Sequence, residues 1–124
     1  MSVKDNLIKA QEILETEGWC KESSFDEETD SYCLLGAIYS ARTGVCGAEI
    51  MKAPHDPYEH SPEVEAVADI IIKGDPVLEE FYESHAAKFG KPRVEGIVYS
   101  FNDADETTQA DVMTVLTKAI EAAS

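Results

Sequence analysis

Apolar residues return at helical spacing along most of the chain. Val3, Leu7, Ala10 and Leu14 share one face of a helix predicted over residues 2–17, with Ile13 beside them. Ser2 is placed to cap its start and Gly18 to stop it. Polar turn formers lie between Trp19 and Tyr32, so this stretch reads as a loop or short hairpin folded at the acidic tip 26–30. A second helix follows, capped by Asp30 or Ser31, with Cys33 in its first turn. Its large apolar positions are Leu34, Leu35, Ile38 and Tyr39. Gly36, Ala37, Ser40 and Ala41 are small enough to let a neighbour approach, and Gly44 ends the helix.

Residues 45–60 carry Gly47, Pro54 and Pro57 without periodicity and read mainly as a loop. Ser61-Pro62 and Asp75-Pro76 each set a cap before a proline in the first helical turn. The third helix buries Val64, Val67, Ala68 and Ile71 and closes at Gly74. The fourth turns Leu78, Phe81, Tyr82, His85 and Phe89 inward and closes at Gly90. RVEGIVYS, residues 93–100, is rich in β-branched and aromatic residues and predicts a strand near 94–99. FNDADETT then reads as a turn into a last helix, capped by Thr107 or Thr108, with Val112, Met113, Leu116, Ala119, Ile120 and Ala123 as its stripe. The expected fold is mainly α: one compact domain over residues 1–124, about five helices and a short strand or hairpin.

Charge changes the picture. Against 25 Asp and Glu stand 10 Lys and Arg, a formal net charge of −15. The acids are spread over 12–30, 61–90 and 101–124, and no basic stripe interrupts them. Direct binding to nucleic acid or to anionic membrane surfaces is therefore disfavoured. The charge serves solubility, or it lets the surface imitate a polyanion before a nucleic-acid-binding protein. Cys20, Cys33 and Cys46 form an odd set with no CxxC pair, and the first residues lack a basic start and apolar run. The expectation is a cytoplasmic protein with reduced thiols and no cofactor.

Candidate chemistry centres on Cys33. A thiol near a helix N-terminus can be activated if a base is at hand, and His55, His60 and His85 are the candidates. The chain order Cys33, histidine, Asn102 imitates that of papain-like thiol enzymes, but such triads are defined by geometry rather than order. Two leucines follow Cys33, which favours a packed core thiol. On that reading Cys33→Ser costs about 1–3 kcal/mol and Cys33→Ala less. His55 and His60, with Asp56 and Glu59, could approach a divalent metal, and Asn102, Asp103, Asp105 and Glu106 offer clustered oxygens; neither spacing enforces convergence, and no metal is assigned. Trp19 is expected to pack across helices and find one partner for its N–H.

GWC at 18–20, CLLGAIYSA at 33–41 and FND with DVMTVLTKAI at 101–120 together resemble an uncharacterised family of small phage and bacterial proteins. Its marks are a Trp-Cys after the first helix, a Cys-x-Leu-Gly-Ala helix and a Trp/Phe-Asn-Asp turn; Phe101 stands here where tryptophan is commoner. The resemblance implies a shared fold and no reaction. It also implies a phage setting, in which interference with a host protein in the host cytoplasm is a natural role.

The leading expectation is thus a non-enzymatic acidic interaction protein. A thiol enzyme using Cys33 and a polyanion mimic are the alternatives. Its partner is another protein, with self-association also open. The binding surface is expected on loop 45–60, where Ile50, Met51, His55 and Tyr58 combine apolar, aromatic and polar anchors beside the acidic turn 26–30.

Overall fold

The computed structural model describes residues 2–52, 61–89 and 94–123, without the side chains at 85, 86, 89 and 95. Helix α1 (Val3–Glu17) begins where Ser2 Oγ accepts the Asp5 N–H at 3.1 Å, and the Gly18 N–H closes it on the Leu14 carbonyl at 3.1 Å. Leu7, Ala10 and Leu14 are fully buried, and the helix packs on α2 and α6. The hairpin expected between 19 and 32 forms from β1 (Phe25–Asp26) and β2 (Ser31–Tyr32), antiparallel, with Phe25 opposite Tyr32. Their rings meet edge to face at 5.0 Å, an arrangement worth about 0.5–1.5 kcal/mol beyond area burial.

Helix α2 (Leu34–Thr43) is the centre of the fold, buried continuously from Leu34 to Ala41. Its cap is Cys33, not Asp30 or Ser31. Ser31 is taken up in β2, and Asp30 sits in the turn at φ 54. Cys33 has the extended backbone of a cap, and its Sγ accepts the Gly36 N–H at 3.3 Å. Gly44 ends the helix in the left-handed conformation, φ 81, which a side chain would strain. Residues 47–52, expected as loop, wind into a short 3₁₀ helix (Gly47–Lys52), which is held where the Gly47 N–H donates to the Tyr32 hydroxyl at 2.8 Å.

Helix α3 (Pro62–Lys73) is capped by Ser61 and buries Val64, Val67, Ala68 and Ile71 as its spacing predicts. Helix α4 (Pro76–Phe89) starts at Asp75, whose Oδ1 accepts the N–H groups of Val77 and Leu78. Its inner face departs from expectation: Phe81 is 64% exposed, Leu78 and Tyr82 are half-buried, and the side chains of His85 and Phe89 lie outside the described set.

The predicted strand at 94–99 is a helix, α5 (Val94–Asp103). Val94 and Val98 are four residues apart and both buried, Ile97 and Phe101 flank them, and Asn102 continues the stripe. Burial on a helical period overrides the β propensity of valine and isoleucine, which reflects packing context more than backbone preference. Helix α6 (Gln109–Ala122) is capped by Thr108, with Asp111 completing a capping box. The described residues therefore form six α-helices where about five were expected, the sixth replacing the strand.

A polar cluster ties three helices together. Glu63, 5% exposed, pairs through Oε1 with Arg42 Nε at 3.2 Å and accepts Asn6 Nδ2 on Oε2 at 3.2 Å. No helix among the described residues is long and apolar enough to cross a membrane.

Candidate functional site

The three motifs meet at one place. Trp19 and Cys20 follow α1, Cys33 and Leu34 begin α2, and Asn102 and Asp103 end α5. The Asn102 amide, 1% exposed, joins them. Its Oδ1 accepts the Trp19 indole Nε1–H at 2.6 Å and the Leu34 backbone N–H at 3.0 Å. Its Nδ2 donates to the Cys20 carbonyl at 3.1 Å and to Asp103 Oδ1 at 2.9 Å. An amide offers two donor hydrogens and two acceptor lone pairs, so all four are engaged. The Leu34 N–H is one of those that no intrahelical bond can reach, and Asn102 supplies its partner. Around this core the Glu22 N–H donates to Asp103 Oδ1 at 2.8 Å. Lys21 Nζ donates to the Ala104 carbonyl at 2.6 Å while lying 5.6 Å from the Trp19 ring centre.

A small cleft of about 350 Å³, lined by Glu22, Ser23, Cys33, Tyr99 and Asp103, adjoins the cluster. Cys33 is the only lining residue with nucleophilic sulfur, and its surroundings work against thiolate formation. Burial pushes the thiol up to about 12, and the Gly36 N–H bond to Sγ only partly opposes this. At pH 7 that leaves about one thiolate in 10⁵. Cys20 is also raised, chiefly by burial, with Asp26 adding to the effect. Alkylation of the native protein at neutral pH is therefore expected to label exposed Cys46 first. Cys33 should be labelled only at the rate of unfolding; rapid native labelling of Cys33 would revive the thiol-enzyme reading.

The raised thiols also set a pH dependence. The native state keeps protons that the unfolded chain releases once pH passes about 9.0, so stability is intact below that value and falls as pH climbs towards about 12. Urea midpoints measured from pH 8 to 11 should show this fall, and Cys33→Ala should make it shallower. The capping bond reverses the expected order of the two Cys33 substitutions. Cys33→Ser keeps an acceptor for the Gly36 N–H, whereas Cys33→Ala loses it and should be the less stable by about 1 kcal/mol in denaturant titration.

A larger opening of about 780 Å³ is bounded by α3, α4, α5 and α6. Among the described residues α4 packs chiefly on α3, so a gap is left between α4 and the α5 and α6 helices. Ile70, Leu78, Ile97, Phe101 and Val115 give it apolar walls, with Phe81 and Tyr99 at the mouth, 64% and 49% exposed. Among the described residues, Asp75, Glu106, Asp111 and Lys118 supply the charge at its edges. Tyr99 also lines the small cleft, so the two openings share that side chain.

A family profile matches residues 1–122 of the chain. The chain belongs to the family of unknown function DUF6197. No curated protein and no solved structure matches it. In this DUF6197 chain the Trp-Cys and Phe-Asn-Asp stretches and the Leu34 N–H of the Cys-x-Leu-Gly-Ala stretch contribute to one hydrogen-bonded junction.

Of the residues singled out in the sequence, the fold brings Cys33 and Asn102 together, but with the amide on the Leu34 N–H rather than on a histidine. His55, Tyr58 and His60, with Asp56 and Glu59, lie outside the described residues. Ile50 is corrected: at 1% exposure it belongs to the core, because the 3₁₀ helix turns it inward, while Met51 is 56% exposed. Asn102 and Asp103 belong to the end of α5 rather than to a free turn. Among the described residues no three His, Cys, Asp or Glu side chains converge as metal ligands. The helical spacing assigns both Leu78 and Phe81 to the core; Leu78 does pack against it while lining the groove, whereas Phe81 is exposed, and the acids over much of the fourth helix are the signal the sequence offers for an outward face.

Proposed function

We propose that this chain is a non-enzymatic acidic protein that acts in the cytoplasm by binding another protein, and that the α3–α6 groove is its contact surface. The observation that carries the reading is the groove itself, an apolar opening of about 780 Å³ with two exposed aromatic residues at its mouth. Aromatic side chains at the edge of a desolvated pocket are the residue type on which binding energy concentrates. The junction at Asn102 supports the same view from the other side, since its polar groups are bonded to one another and its thiol is held protonated. A phage accessory or host-interference factor working in the host cytoplasm fits this chemistry. The net charge of −15 favours fast, salt-sensitive encounter with a basic partner over contact with nucleic acid or anionic lipid.

A photo-crosslinking residue placed at Phe81 of the full chain tests this, with the same residue at exposed Lys9 on α1 as control. Protein adducts from host-cell lysate are expected at 81 and not at 9. Equal adducts at both positions, or none at 81, would overturn the groove as the contact surface.

A further inference from the structure

The groove's chemistry narrows what can occupy it. Its walls are aliphatic and aromatic, so the occupant must present several apolar side chains on one face. An extended strand is a poor fit: the hairpin is two residues per strand and lies in β1 and β2, away from the helices that bound the opening. Strand addition needs a free sheet edge at the site, whereas a helix laid into a trough between helices needs only matching ridges. Among the described residues, the edges of the groove carry three carboxylates, Asp75, Glu106 and Asp111, against one cation, Lys118. Two of the three are fixed in place by caps: Asp75 Oδ1 accepts the Val77 and Leu78 N–H groups, and Asp111 Oδ2 accepts the Thr108 N–H. Each keeps an oxygen for an incoming cation without any rearrangement.

From these features we infer that the groove binds a basic amphipathic α-helix of a partner protein. Its apolar face enters between α4 and the α5 and α6 helices, and its lysines or arginines meet Asp75, Glu106 and Asp111. The inference rests on the proposed binding role and specifies the ligand. Charge complementarity selects the sign: a neutral helix would gain no net attraction from the rim, and an acidic one would be repelled by the chain's net charge of −15. A helix of 14 residues is about 21 Å long and offers anchors at i, i+3, i+4 and i+7, enough for the walls named above.

Gly96 supplies a test that leaves the fold intact. It lines the groove from α5, and among the described residues a Cβ there would meet only Tyr99 Cε1, at 3.9 Å, so a larger side chain can enter the opening without displacing described backbone. The probes are three labelled 14-residue peptides. The first has leucine on one helical face and lysine elsewhere, the second has glutamate in place of lysine, and the third has the first peptide's composition scrambled to remove the face. Fluorescence anisotropy with the full chain should give binding of the first peptide at least tenfold tighter than of the other two. Raising salt from 50 to 500 mM should weaken it several-fold. Gly96→Leu and Phe81→Ser should each reduce it at least tenfold with the thermal midpoint kept. Val77→Ser, on the same helix and 78% exposed but outside the groove, should not change it. If the scrambled peptide binds as well and ignores the groove variants, the attraction is that of a general polyanion, and the inference falls. If no peptide binds while the crosslinker at Phe81 still captures a protein, the binding role stands and the helical, basic ligand is wrong.

Discussion

Asn102→Ala is expected to lower the free energy of unfolding by about 3–5 kcal/mol. The amide's Oδ1 is the partner of two N–H groups, and one of them is the backbone N–H of Leu34, a residue with no exposed surface. Alanine leaves that N–H, the Trp19 indole N–H and the Cys20 carbonyl without their partner. Each buried polar group so stranded costs about 1–3 kcal/mol. Part of that cost is recovered where Trp19 and Cys20, both only partly buried, can turn to water. Urea titration followed by Trp19 fluorescence reads the loss directly, because the only tryptophan reports on the junction itself. Asn102→Asp adds a signature that simple destabilisation lacks. It keeps the acceptor for Trp19 and Leu34 but replaces Nδ2 by an oxygen facing the Cys20 carbonyl and the Asp103 carboxylate. The introduced carboxyl is then held protonated, with a folded pKa above the unfolded value of about 4. A group raised in this way contributes its stability at low pH and loses it as pH rises, so the deficit against the native sequence should be small near pH 4 and widen towards pH 7. An Asn102→Ala protein within 1 kcal/mol of the native one would remove the junction from the account of the fold.

Much of the helical layout was legible because caps and periodicity agree at the same places. Ser2, Ser61 and Thr108 cap where they were expected, and Leu7, Leu14, Val67, Val112 and Leu116 are buried on the faces their spacing assigned. The stretch 94–100 failed for a physical reason. Over so few residues Val94, Ile97 and Val98 satisfy a β propensity scale, and the helical partner that completes their stripe, Asn102, is polar and reads as a turn former. A buried asparagine is invisible to a hydrophobic pattern, although Trp19 did signal that some acceptor had to reach its N–H. The candidate surface was less legible. Loop 45–60 looked exposed because it lacks period, yet its 3₁₀ turn buries Ile50. The groove arises from how α4 is set on α3, a tertiary relation that neither helix records by itself. Cys33 illustrates the mixture: its position at the start of a helix was right, and what the helix end would do to the thiol was outweighed by burial.

Gly36→Ala should be as costly as any substitution at the junction, about 4 kcal/mol or more, with the hairpin displaced in whatever folded state survives. A Cβ built at Gly36 would lie 2.1 Å from the Ser24 carbonyl oxygen, 2.9 Å from its carbon and 3.2 Å from its Cα. These are backbone atoms, so no side-chain rotation relieves the overlap. Nor is the carbonyl free to swing away, since it accepts the Cys33 N–H at 3.2 Å, and Ser24 is 1% exposed. Clearing the methyl therefore means moving the chain before β1 by about 1 Å or more and breaking that hydrogen bond. Overpacking of this kind costs about 1–3 kcal/mol, and a buried bond lost with it adds a similar amount. Gly96→Ala is the control that separates crowding from a general effect of glycine replacement. It is also helical, its Cβ meets nothing closer than 3.9 Å, and it should raise stability by about 0.5–1 kcal/mol through helix propensity alone. Opposite signs from the same chemical change, read as thermal midpoints of the two variants, are the expected result. A Gly36→Ala midpoint at or above the native one would mean that Ser24 is not packed against α2 as described.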